Sequence, residues 1–291
     1  MHVLDLLAAR RLIVVTGKGG VGKTTLTAVL GRLLGARGRH VLLLEVDPRE
    51  SLHQALGTEP SGGEIIHAGA GLWTQNLQPQ AVIEELVRAK VSIPFLAGKI
   101  TRSAAFRHFT DGAPGLKETA VLGHAYRILL GRHHPPIDTV VIDAPATGHG
   151  AAMLAAPALL AQASAGGQLG DLAAELAGFL ADPRASSTVI ATLAEEMPVQ
   201  ETLELLSLLG ERGRVAPELV VANALYPPIP EGSDPGGLPD LWTRRRRMNE
   251  RELERLKRAW PGPLVELPNL PLDRGPELVA ALAQRLAEAR P

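Results

Sequence analysis

The stretch VVTGKGGVGKTTLTAV, Val14 to Val29, decides the fold. An apolar run, RLIVVT over 11–16, leads into a glycine-rich turn, and KTTLTAVLGRLLGAR continues from it with apolar residues at helical spacing. A buried strand, a glycine-rich loop and a helix are the context that G-x-x-x-x-G-K-[ST] needs to cradle phosphates, and here the motif is GKGGVGKT, Gly17 to Thr24. Gly17, Gly19, Gly20 and Gly22, with Val21 among them, let successive N–H groups turn inward as an anion nest. The helix N-terminus adds positive potential. Lys23 would neutralise the β- and γ-phosphates, Thr24 would hold Mg²⁺, and Thr25 completes the nucleotide-binding run.

One residue in this loop is surplus. Lys23 and the nest already serve the loop's own phosphates, so Lys18 is a second cation at the loop's mouth. It is either a solvated side chain at a variable position or a charge aimed outward at a nucleotide on another subunit, as an arginine finger is. The physical chemistry of the loop leaves both readings open.

Working outward, short Val/Ile/Leu runs alternate with helical patterns: HVLLLEV at 40–46, DTVVID at 138–143, STVIAT at 187–192, ELVVAN at 218–223 and LVEL at 264–267. Runs that are apolar throughout suit strands covered on both faces. The fold class expected is α/β, a doubly wound and mostly parallel sheet in one P-loop domain spanning 1–291. Two stretches break the alternation, at about 93–131 and 151–185, and are expected to form an embedded helical subdomain. NALYPPIPEGSDPGGLPD, 223–240, reads as a loop. No internal repeat is present.

Composition narrows the function. Apolar residues make up 45% of the 291, charged residues 21%, and the formal net charge is −1. That is a globular composition with no global field to attract nucleic acid or anionic lipid. There are no cysteines, which excludes disulfides, thiolate zinc sites, iron–sulfur clusters and cysteine nucleophiles. MHVLDLLAARRLIVV is expected to be a short helix and then a strand, since two arginines split its apolar stretch. No run reaches the ~18–20 apolar residues of a membrane span, and a cytoplasmic location is expected.

In an open α/β sheet ligands gather beyond the carboxyl ends of the strands. Asp47 ends the second strand's run in LLLEVDPRESLHQALG. It would orient and deprotonate the attacking water, or hold Mg²⁺ through water; the competing reading is an N-cap for the next helix. Asp143 ends DTVVID, where a carboxylate would hold Mg²⁺ by way of its waters. Asn223 ends another strand, and its amide offers donor and acceptor together to a base edge.

GKGGVGKTT resembles the deviant Walker A motif of the SIMIBI-class NTPases, in which the early lysine contacts the partner subunit's phosphates in a face-to-face dimer. That resemblance favours the outward role for Lys18. LLLEVDPRESLHQALG is similar to the switch I run of ArsA-type ATPases, with Asp47 and Ser51 matching and Arg49 and Glu50 departing from the usual Ala and His. DAPATGH, with Pro145, Thr147 and Gly148, resembles the same family's switch II, although Ala144 and Ala146 differ. ATLAEEMPVQETLELL, 191–206, also resembles a family segment, and the likeness is weakest across 93–131 and 155–185. The resemblance implies that Asn223 reads adenine and that LPNLPLDRGPELVAAL, with Pro271, closes over the base.

It further implies an ATPase that uses ATP and Mg²⁺. Lys18, Lys23 and Asp47 would be its catalytic residues, and Thr24, Asp47 and Asp143 would serve the metal. The implied partners are a second copy or a paralogous ATPase, and a protein or membrane-associated client, with peripheral membrane association as a variant. Thiolate arsenite sensing and a CxxC zinc clamp are excluded by the missing cysteines. His133 and His134 are read as part of a turn.

WTRRRRMNERELERLKRAW, 242–260, is read as a solvated helix laced by i,i+4 pairs, with no specific nucleic acid expected. The rival is a ParA/MinD-like positioning ATPase on DNA or membrane; another is a nucleotide-gated scaffold paired with a paralogous ATPase. VLGHAYRILLG and DLAAELAGFLA have helical apolar spacing and would be core, a client groove or a dimer interface.

Overall fold

In the computed structural model, residues 2–46, 50–90, 94–132, 136–145, 149–164, 167–211, 217–228 and 239–290 are described. The chain begins with α1 (Val3–Leu7), β1 (Leu12–Thr16), α2 (Lys23–Ala36), β2 (Val41–Glu45) and α3 (Leu52–Leu56). A hairpin, β3 (Ile66–Gly69) and β4 (Leu72–Asn76), follows. Four helices come next: α4 (Pro79–Lys90), α5 (Pro94–Arg102), α6 (Ala104–Gly112) and α7 (Leu116–Arg127). Then come β5 (Thr139–Asp143), α8 (His149–Ala163), α9 (Gln168–Ala181), β6 (Ser186–Leu193) and α10 (Glu196–Glu211). The chain closes with β7 (Pro217–Leu225), α11 (Pro239–Ala259), β8 (Leu264–Pro268) and α12 (Pro276–Glu288).

The eight strands form one sheet in the order β3-β4-β2-β5-β1-β6-β7-β8, parallel throughout except for β3 against β4. Alternate residues of each inner strand feed two separate cores. Leu12, Val14, Leu42, Leu44, Val140 and Ile142 pack with Leu122 of α7, Leu154 of α8 and Leu176 of α9. Ile13, Val15, Leu43 and Val141 pack with Leu30 of α2, Leu52 of α3 and Leu282 of α12. Both faces are therefore covered, and the continuous apolar runs are the trace of that double burial.

Because both faces of these strands are apolar, a one-residue slip would expose nothing hydrophobic, so the periodicity leaves register weakly specified. The carboxyl ends are different. Glu45 of β2 and Val15 of β1 both pair with Asp143 of β5, and Glu45 and Asp143 are 2% and 5% exposed. A slip would drive one of these acids into an apolar layer, at a cost of several kcal/mol. The acids thus align the strand ends around one crevice.

The six strands expected from the sequence are all present, and two more were not foreseen. β4, LWTQN, hides because Thr74, Gln75 and Asn76 are polar yet buried. Their burial is supported by hydrogen bonds: Gln75 Nε2 donates to the Gly63 carbonyl at 2.8 Å, and the Asn76 N–H donates to Ser61 Oγ at 2.8 Å. Gly71 makes the β3–β4 turn at φ 67°, where a Cβ would lie 2.7 Å from the Arg39 carbonyl. α5, α6 and α7 occupy the first irregular stretch, with α4 ahead of it from Pro79, and α8 and α9 occupy the second. Among the described residues no helix is long and apolar enough to cross a membrane.

Candidate functional site

β1 is the middle strand between β5 and β6, and the chain crosses to opposite sides of it, which opens a crevice at the carboxyl ends. The loop from Gly17 to Gly22 lies there and runs directly into α2. Two of its glycines are required by close approach. A Cβ on Gly17, at φ 142°, would sit 2.1 Å from the Ala191 carbonyl oxygen. One on Gly22, at φ 92°, would sit 2.3 Å from Asn223 Nδ2. Val21 is buried beneath the loop.

A cleft of about 470 Å³ opens over this loop. Gly20, Gly22, Lys23, Thr24 and Thr25 line it with Asp143 and Pro145. Asn223, Ala224, Leu193, Leu270, Leu278 and Leu282 line the same cleft, with Asn223 against the loop at Gly22. Ser51, Gln54 and Arg274 line it as well. A lining that joins glycines and hydroxyls to leucines and one amide suits an amphipathic ligand such as a nucleotide.

Within the cleft Thr24 Oγ1 donates to Asp143 Oδ2 at 2.5 Å, joining the start of α2 to the end of β5. Two hard oxygens side by side at a helix N-terminus fit Mg²⁺, which binds one or two such groups and keeps its waters. Lys23, 7% exposed, donates from Nζ to the Lys18 carbonyl at 2.8 Å. Asn223 Nδ2 donates to the Val21 carbonyl at 3.0 Å, so β7 and the glycine-rich loop are tied together.

The remaining predicted residues fall elsewhere. Gly17, Lys18, Gly19 and Val21 belong to the loop but do not line the cleft. Lys18 points away from it, with Nζ 2.5 Å from Glu201 Oε1 on α10. Pro271 is exposed and lines a neighbouring concavity, whereas Leu270 and Leu272 on either side of it line both. Asp47, Thr147 and Gly148 lie outside the described residues, as do His133 and His134. Among the described residues no group of His, Asp and Glu could hold a metal by itself.

Reading the sequence missed Glu45. This buried acid accepts the backbone N–H of Ser51 at 2.6 Å and that of Leu52 at 3.1 and 3.3 Å, anchoring α3 and the cleft wall to the end of β2. Nothing in the apolar run LLLEV marks Glu45 as a cap for a helix six residues on. The basic block of α11 is paired: Arg245 with Glu195 at 3.1 Å, Arg246 with Glu250 at 2.7 Å and Arg255 with Glu252 at 3.4 Å.

The model of a family described as Anion-transporting ATPase matches residues 10–165, the segment that carries the loop, Asp47 and Asp143. ATPase BagA of Mycobacterium tuberculosis is 30% identical over 215 residues, 70% of this chain and 62% of its own length. The chain thus spans less than two thirds of that mycobacterial relative. ATPase ARSA1 of Chlamydomonas reinhardtii is 26% identical over 184 residues, covering 53% of this chain and 24% of that protein. ATPase GET3 of Malassezia globosa is 24% identical over 308 aligned positions, covering 93% and 88%. With the glycine-rich loop at the head of α2, Thr24 joined to the β5 carboxylate, and the family match running through both, the chain belongs to the anion-transporting ATPase (ArsA) family.

Proposed function

We propose that this chain binds Mg·ATP in the cleft, hydrolyses it, and uses the cycle to open and close a dimer that acts on a protein or membrane-associated client. One observation carries the reading: Thr24, bonded to Asp143, lines the same cleft as Asn223 and a group of leucines. Mg²⁺ at Thr24 and Asp143 would neutralise charge developing on the phosphate oxygens.

The chain's own groups do the rest. Lys23 turns from the Lys18 carbonyl to the β- and γ-phosphates, and the loop N–H groups hold the oxygens that gain charge. Asp47 orients a water for in-line attack on the γ-phosphorus and accepts its proton, while the bond to the β–γ bridging oxygen breaks and ADP leaves. Pro145, Thr147 and Gly148 form the segment that responds to the γ-phosphate. Asn223 hydrogen-bonds the adenine edge, and the loop with Pro271 closes over the base.

Lys18 serves the neighbour's nucleotide, so activity depends on assembly as a homodimer or with a paralogous ATPase. Without cysteines no thiolate zinc clamp is available, and nucleotide and packing hold the dimer. The helices near 93–131 and 151–185 act as the embedded subdomain that meets the client. The ion pairs along α11 support its reading as a solvated face rather than a nucleic-acid contact. The protein works in the cytoplasm.

Light scattering of an Asp47→Asn variant, with ADP and then with Mg·ATP, tests the proposal beside a phosphate-release assay of the wild type. A shift from monomer to dimer in ATP alone, with Mg²⁺-dependent release, is expected. ATP bound without release would overturn hydrolysis. A monomer in both nucleotides would overturn the homodimer.

A further inference from the structure

The base end of the cleft is held by a cluster that the reading above does not use. Asn249 lies in α11, a helix rich in Arg and Glu, yet it is 4% exposed. Its amide works in both directions. Oδ1 accepts the backbone N–H of Tyr226 at 2.9 Å, and Nδ2 donates to the Ala194 carbonyl at 2.8 Å. These partners lie just past the points where β6 and β7 pair Leu193 with Asn223, both of which line the cleft.

The backbone between them is strained. Ala224 follows Asn223 at φ 55°, in the left-handed region that a residue with a Cβ avoids, and the β7–β8 register is irregular between Ala222 and Leu225. Such a conformation persists only where the surroundings over-determine it. Here α11 supplies the constraint. Trp242, Arg246 and Asn249 stand at i, i+4 and i+7 on one helical face. The Trp242 ring meets the Tyr226 ring edge-on with centroids 5.0 Å apart, and Arg246 donates to the Tyr226 carbonyl at 2.6 Å. Tyr226 is therefore gripped at its ring, its carbonyl and its N–H by three side chains of one face.

We infer that Asn249 is a positioning residue for nucleotide recognition: it bridges the ends of β6 and β7, holds the kink at Ala224, and so keeps the Asn223 amide at the base end of the cleft. The inference rests on the proposal that the base lies against Asn223. Only an amide fits the bridge, since one partner is a donor and the other an acceptor. An aspartate would keep the Tyr226 bond and turn a second oxygen toward the Ala194 carbonyl. That leaves a buried acceptor facing another acceptor.

The test compares Mg·ATP with Mg·tripolyphosphate, which engages the loop but has no base, on the full-length wild type, Asn249→Asp, Arg246→Ala and Asn223→Ala by calorimetric titration. Asn249→Asp is expected to weaken ATP roughly tenfold, in line with one buried hydrogen bond, and to leave tripolyphosphate unchanged. Arg246→Ala, at a partly exposed site, is expected to lose less in the same direction, and it carries the test alone if Asn249→Asp does not fold. Equal losses for both ligands, or none in the folded variants while Asn223→Ala loses ATP affinity, would overturn the positioning role by itself. If Asn223→Ala leaves the preference for ATP over tripolyphosphate unchanged, the base-end reading fails and the inference falls with it.

Discussion

Lys18 Nζ lies 2.5 Å from Glu201 Oε1, while the Lys18 carbonyl receives Lys23 Nζ at 2.8 Å. Both of the loop's cations are therefore held within a single chain, Lys18 by Glu201 and Lys23 by the Lys18 carbonyl. Both members of the Lys18–Glu201 pair are more than a third exposed, so the contact stabilises by less than about 1 kcal/mol. A bond that weak can be exchanged for a phosphate; under the proposal, Glu201 competes for Lys18 until a nucleotide-bearing neighbour arrives.

Glu201→Gln should then promote assembly. ATP-dependent dimer formation, followed by light scattering across protein concentrations, is expected at a severalfold lower concentration, and Lys18→Ala should remove both the dimer and the effect of Glu201→Gln. A weaker dimer in Glu201→Gln would mean that Glu201 travels with Lys18 and orients it.

Asp143 meets Thr24 through a 2.5 Å hydrogen bond and, under the proposal, reaches Mg²⁺ by way of its waters. Asp143→Asn keeps the shape but not the charge. Phosphate release should fall by about 10–100-fold and the Mg²⁺ concentration for half-maximal rate should rise, as outer-shell losses do. A magnesium titration of steady-state rates reads both. An unchanged half-saturation would remove Asp143 from the metal.

Gly22→Ala tests the seam between the loop and β7. Its Cβ would lie 2.3 Å from Asn223 Nδ2, and φ 92° is strained for alanine. A loss of about 1–3 kcal/mol in urea stability is expected, with ATP binding abolished. Gly20→Ala, where a Cβ meets nothing within 4 Å, should be milder in stability despite its φ of 81°. Equal losses would show that backbone strain, rather than the contact with Asn223, governs the site.

A pH prediction comes from the helices. Tyr126 of α7 donates to Glu175 Oε1 of α9 at 2.7 Å, and its ring lies against Phe179 at 4.8 Å. That hydrogen bond, helped by burial, raises the phenol above its ordinary value near 10. A raised folded-state value means the contact contributes fully below the unfolded pKa and fades as pH climbs through the folded one. Tyr126→Phe should cost about 1 kcal/mol at pH 7. The deficit should shrink above about pH 10, checked by urea unfolding at both pH values. A deficit independent of pH would assign the loss to packing alone.

Much of this was legible in the chain. Gly17 to Thr24 reads as a phosphate loop, and the turn into α2 was legible because its geometry is local: each glycine serves its own backbone, and the helix that follows supplies its own dipole. Asp143 could be placed at the end of its strand because it closes the apolar run before it, whereas β7 continues past Asn223 to Leu225, since Ala224 and Leu225 prolong its apolar run. β4 was illegible for the opposite reason. Its Thr74, Gln75 and Asn76 are buried by partners such as Gly63 and Ser61, and no pattern within LWTQN announces that.

By itself, then, the sequence determined the α/β class, the glycine-rich loop ahead of α2 and the order in which the candidate residues arrive at the crevice, all of which follow from short-range pattern. Only the tertiary structure decided what those residues touch. Glu201 is 183 positions from Lys18, Val21 is 202 from Asn223, and Ala194 is 55 from Asn249. Contacts that distant leave no periodic trace, because a hydrogen bond depends on where two strands end in space and not on the residues between them.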